Sequence, residues 1–171
     1  MIHRDKLAEV MFISPKGSET KMPEHIALDK VEAHLTEVVD RLRESQEGYR
    51  ELGHRLENET AKRLYMRETQ KRAEYAAELE NELHRLGMHD VKTNVSFRAK
   101  ARLRWGEIQA GAAGGQKSLL STAERQDEAT MKTYDEILKE ELPLPLREML
   151  TRQREHIQRV HDEVKALHDK G

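Results

Sequence analysis

Cysteine is absent from the chain. That absence removes disulfides, thiolate metal sites and thiol catalysis together. Aromatic residues make up only 4% of the sequence, too few for the aromatic-rich interior of a β-sandwich. No apolar run approaches the roughly 20 residues that a membrane-spanning helix requires. The N-terminus also has no apolar stretch of the secretory kind, so the expected compartment is the cytoplasm. A dominant charge is missing too. Lys and Arg number 30 against 32 Asp and Glu, a formal net charge of −2, which argues against the broad basic footprint of a nucleic-acid binder.

Charge itself is plentiful, at 36% of the residues, and it alternates with Leu, Ala, Val and Ile in the manner of long amphipathic helices. Residues 1–26 carry no sustained period. Val10-Met11-Phe12-Ile13 and the turn Ser14-Pro15-Lys16-Gly17-Ser18 read as a poorly ordered arm. The remainder, 27–171, reads as one helical domain.

Its first helix is expected from Ala27 to Leu56, on a stripe of Leu28, Val31, Leu35, Val38, Val39, Leu42, Tyr49 and Leu56. Asn58 is a good N-cap for a second, and Gly87 supplies its stop after Leu86. Its stripe is Leu64, Tyr75, Leu79, Leu83 and Leu86. A third is expected over Lys117–Glu140, and a fourth over Leu146–Asp169 beyond the break at Pro143 and Pro145. Four helices with one apolar stripe each make a four-helix bundle. The first–second and third–fourth links are short and predict antiparallel hairpins. The connection over 88–116 is long enough to cross the bundle lengthwise, which predicts that the second and third helices run parallel.

Gln46-Glu47-Gly48-Tyr49, Arg72-Ala73-Glu74-Tyr75-Ala76-Ala77-Glu78-Leu79 with Arg85-Leu86-Gly87, Ala123-Glu124-Arg125-Gln126-Asp127-Glu128-Ala129 and His161-Asp162-Glu163-Val164 occur in an order and spacing that resemble a bacterial ferritin-like family of unassigned function. The resemblance covers about residues 28–169. It implies a ferritin-like four-helix bundle and self-association, with a dimer expected. It brings no established reaction.

Ferritin-like di-iron sites draw a Glu from each of two helices and Glu-x-x-His from each of the other two. Helical-wheel placement puts Gln46, Glu68, Arg72, Asp127, Gln153 and His161 on or beside the apolar stripes, and Glu80 with His84 on a wet face as a surface pair. In a bundle with parallel second and third helices, Gln46, Glu68, Asp127 and His161 come to one level. The ligand set there is degraded: Gln46 stands where Glu is wanted, Lys71 where His is wanted after Glu68, and Gln158 where Glu is wanted before His161. Glu68, Asp127 and His161 are therefore the candidate ligands of, at most, a single iron or manganese ion. The preferred expectation is no cofactor, with Arg72 pairing with Glu68 or Asp127 in a buried polar network.

Other signals are thin. Gly111–Gly115 has no Gly-Lys-Ser/Thr after it and reads as a flexible connection rather than a phosphate loop. Phe97–Trp105 combines four cations with two aromatics; its expected role is to pack across the bundle end while the cations stay wet. The functional expectation is a non-enzymatic bundle acting through self-association or a protein partner, with a role under stress. Metal binding at the degraded site and nucleic-acid association through the basic crossover are the two alternatives.

Overall fold

The computed structural model describes residues 24–87 and 115–170, with side chains placed for all but 24–28 and 116. Four α-helices account for nearly all of them, with no strand among the described residues. They are α1 (Glu24–Arg55), α2 (Glu59–Arg85), α3 (Gly115–Ile137) and α4 (Leu144–Lys170). The arm up to residue 23, the 88–116 connection up to residue 114, and the basic segment Phe97–Trp105 lie outside the described residues, and residues 24–26 of the expected arm belong to α1.

Local chemistry sets the helix ends. Asn58 is extended (φ −70°, ψ 115°), and its side-chain oxygen accepts from the backbone N–H groups of Thr60 and Ala61, both at 3.0 Å. Two of the donors that begin α2 are thereby satisfied. At the other end Gly87 adopts φ 81°, a left-handed conformation that costs glycine nothing and any other residue strain. Helix α3 stops at Ile137, earlier than the expected Glu140, because Arg147 reaches back and donates to the carbonyls of Leu138 (2.9 Å) and Glu140 (2.6 Å). Helix α4 begins at Leu144, before its expected start. Pro145 falls inside the first turn, where a missing N–H breaks no intrahelical bond, so only Pro143 lies in the break.

Cross-helix pairs give the directions. Arg43 meets Glu80, and Gly53 lies so close to α2 that a Cβ there would stand 3.0 Å from Met66 Sδ, so α1 and α2 are antiparallel. Lys30 meets Glu140 while Tyr49 meets Asp127, so α1 and α3 are antiparallel too. It follows that α2 and α3 run parallel. Helix α4 opposes both, pairing His168 with Glu124, Arg154 with Asp135 and His156 with Glu68. Helix α1 packs most closely on α2, α3 contacts both α1 and α4, and α2 meets α4 along a much looser seam.

The apolar interior falls into two clusters. One gathers Leu35, Leu42, Leu79, Leu83, Ile137, Leu150 and Ile157. The other gathers Tyr49, Leu52, Leu64, Tyr65, Ala123, Val160 and Val164. On α2, Glu68 and Arg72 lie in sequence between the residues of the two clusters; on α3, Asp127 does. A polar layer thus crosses the middle of the bundle, between the two apolar clusters. None of the described helices is long and apolar enough to cross a membrane.

Candidate functional site: a buried arginine–aspartate centre

Arg72 heads the largest side chains that are fully buried. Its Nη2 donates to Asp127 Oδ1 at 3.0 Å, and neither side chain has any exposed surface. The Tyr49 hydroxyl donates to the other oxygen, Oδ2. The Arg72 guanidinium also stands over the Tyr49 ring, 5.1 Å from its centroid, close enough for a cation–π attraction. Tyr49 in turn is tilted against Tyr65, ring centroids 4.9 Å apart.

The electrostatics follow from this enclosure. Burial pushes the Asp127 carboxyl above its usual range, and Arg72 and the Tyr49 hydrogen bond pull it partly back. Burial works against the Arg72 charge, yet Asp127, then Tyr49 and Glu68, outweigh it and raise the pKa of the guanidinium. The Tyr49 phenol is pushed well up by burial and by the Asp127 charge. Tyr65 and Tyr134 are pushed up by burial as well. All three phenols therefore remain protonated donors at neutral pH.

The other candidates from the sequence are distributed around this pair. Glu68 is fully buried, but its carboxylate turns toward α4. It accepts from His156 Nε2 at 2.9 Å and from Arg67 Nε at 3.4 Å. Gln153, also fully buried, accepts from the Tyr134 hydroxyl at 2.8 Å and donates to Glu78 Oε2 at 2.7 Å. His161 is 9% exposed, with Nε2 4.0 Å from Glu128 Oε1. Gln46 is only half-buried and accepts from Arg43 of its own helix at 3.3 Å. It does not join the Asp127 group, because Tyr49, three residues on, brings a longer polar side chain to that acid. Glu80 is not on a wet face either. It is half-buried and forks onto Arg43 Nη2 at 2.9 and 3.0 Å, tying α2 to α1.

Four partners were invisible to stripe counting. Tyr49 and Tyr134 enter the periodicity as core residues, and their hydroxyls carry no signal there. His156 and Glu78 flank the apolar stripes and reach inward only by side-chain length. The one usable cue was local: Tyr49 lies one turn from the polar position assigned to Gln46.

The candidate ligands Glu68, Asp127 and His161 are not gathered into one group. Among the described residues, no three His, Asp or Glu side chains gather closely enough to hold an ion. Both Asp127 oxygens are engaged by Arg72 and Tyr49, and both Glu68 oxygens by His156 and Arg67. The cation adjoining Asp127 is the protein's own guanidinium, which would repel a second.

Among the described residues, fold and centre together define four helices whose middle is closed by an internal ion pair. The chain belongs to the family described as Domain of unknown function (DUF2383), whose model matches residues 30–140. The match spans α1 to α3, including Tyr49, Glu68, Arg72 and Asp127, and stops before α4. No curated protein matches the chain.

Proposed function

We propose that this chain is a non-enzymatic, ferritin-like bundle of the cytoplasm that acts through self-association, as a homodimer, or through a protein partner. The observation that carries this reading is Arg72. A protein cation bonded to Asp127 in the middle of the bundle fills the electrostatic role that a metal has in a ferritin-like oxidase. The parallel course of α2 and α3 supports the ferritin-like part of the reading. Iron or manganese at Glu68, Asp127 and His161 is the rival. It requires Asp127 to leave both Arg72 and Tyr49, and Glu68 to leave His156.

Two measurements test the proposal. Protein produced with iron and manganese supplied, and purified without chelator, is expected to carry well under one ion per chain. A tightly held ion at one or more per chain, lost in Glu68→Ala/Asp127→Ala, overturns it in favour of the metal reading. Sedimentation of the purified chain is expected to show a dimer. A monomer at all concentrations shifts the proposal to its partner-binding form, which cross-linking in cells then tests.

A further inference from the structure

The groove between α1 and α3 is buried on its outer side. On α1, Glu37, Glu44 and Glu51 recur at seven-residue intervals and so share one face. Leu35, in the core, lies about half a turn out of phase with Glu44 at about 100° per residue. Glu37 is exposed and Glu51 partly so, as an outer face requires, yet only 4% of Glu44 is exposed. Arg41 of the same helix bonds to Glu44 at 3.1 Å. Across the groove, Thr122 and Thr133 of α3 are 5% and 6% exposed, although their hydroxyls bond back to Ser118 and Ala129 of their own helix.

Burial on both banks points to a cover, and neither remaining helix lies on that side. Helix α2 meets the other flank of α1, at Arg43, and α4 meets the other flank of α3, at Glu124 and Asp135. A buried carboxylate favours a cover that carries cations.

The chain has such a stretch, and the topology brings it past the groove. Helix α2 ends beside the start of α1, and α3 begins beside the end of α1, so residues 88–114 return along the bundle beside either α1 or α4. That return is about 35 Å at about 1.5 Å per helical residue, well within the reach of the stretch. It holds Lys92, Arg98, Lys100, Arg102 and Arg104 against Asp90 and Glu107. Ala101 is its midpoint, so the run Arg98–Arg104 is central in the return, just as Glu37 and Glu44 flank the middle of α1. The exposed face of α4 alternates in sign through Glu148, Arg152, Glu155, Arg159 and Asp162 and offers no comparable counter-charge. Residues 1–23, with four cations against three acids, are nearly neutral.

We propose that the outer groove between α1 and α3, along Glu37, Glu44 and Glu51, is the docking surface for the chain's own basic stretch, Arg98–Arg104. Docking sets these cations against the acidic line and withdraws them from external polyanions. It is independent of self-association and holds for a monomer as for a dimer.

The test is zero-length cross-linking of the folded full chain with a carbodiimide, on a mixture of unlabelled and nitrogen-15 protein read by mass spectrometry. Lys100 is expected to join acids on the outer face of α1, Glu44 foremost, with both peptides from the same isotopic copy. Lys100 joined to acids of α4, joined only between copies, or joined to nothing on that face of α1 overturns the proposal. A second measurement is tryptic cleavage within Arg98–Arg104 under native conditions. Glu37→Gln/Glu51→Gln, which changes two side chains at the surface, is expected to speed that cleavage roughly three- to tenfold, since cleavage follows the population of the undocked stretch. An unchanged rate overturns the proposal as well.

Discussion

Arg72 Nη2 lies 3.0 Å from Asp127 Oδ1 although α2 and α3, which carry them, do not pack closely on each other. Aspartate is too short to cross the centre of a four-helix bundle, and arginine is long enough to do so. The bond therefore ties together two helices that make little other contact, in a layer where each apolar cluster ends. Removing either side chain would leave the other charge stranded away from water.

Tyr49 tests the second bond to Asp127. Tyr49→Phe keeps the ring against Tyr65 and beneath Arg72 and deletes only the hydroxyl. A hydrogen bond to a charged acceptor contributes about 1.5–3 kcal/mol. Urea unfolding of the variant is expected to show a loss in that range, and a loss below about 0.5 kcal/mol would mean that Asp127 finds another donor.

Asp127 also predicts how stability changes with pH. Burial holds its native pKa above the ordinary value of 3.8. Between 3.8 and that raised value the folded chain keeps a proton that the unfolded chain has released. Unfolding then releases a proton, so this residue's contribution to stability falls as pH rises through the interval. Unfolding free energies measured upward from the ordinary carboxylate value of 3.8 are expected to show a smaller such fall in Asp127→Asn than in wild type. Identical pH profiles would contradict the assignment.

Asp40 carries the same sign for a more exposed reason. Its carboxyl is pushed up by partial burial and then by Glu37 and Glu44 on the same helix. Asp40→Asn is expected to stabilise the protein by a few tenths of a kcal/mol at about pH 7, after solvent screening. The gain should shrink in high salt, as screening weakens the repulsion that the substitution relieves. A destabilised variant would show that Asp40 has a cationic partner that matters more than its acidic neighbours.

The four helices were legible in the sequence because each carries one stripe, and because Asn58, Gly87 and Pro143 punctuate them. Direction was legible from connection lengths alone, since short links force hairpins and a long one permits a parallel pair. Polar residues on the stripes were legible too: Glu68, Arg72, Asp127 and Gln153 are all fully buried. Who bonds to whom was not. Wheel placement gives a direction from the axis but not reach, so it favoured Gln46 over Tyr49, set Glu80 on the wet face away from Arg43, and gave no sign that His156 would meet Glu68. The start of α4 at Leu144 differs from the expected Leu146 because a proline in a first turn and a proline that ends a helix look alike in sequence.

The central claim is that Arg72 is the structural counter-ion of the bundle's middle. The most direct test is the unfolding free energy of Arg72→Met, which keeps most of the aliphatic packing and deletes the charge. Breaking a buried pair on one side costs about 3–5 kcal/mol, because the surviving charge stays buried alone. Loss in that range is expected, with partial recovery when Asp127→Asn is added. An Arg72→Met protein as stable as wild type would contradict the account.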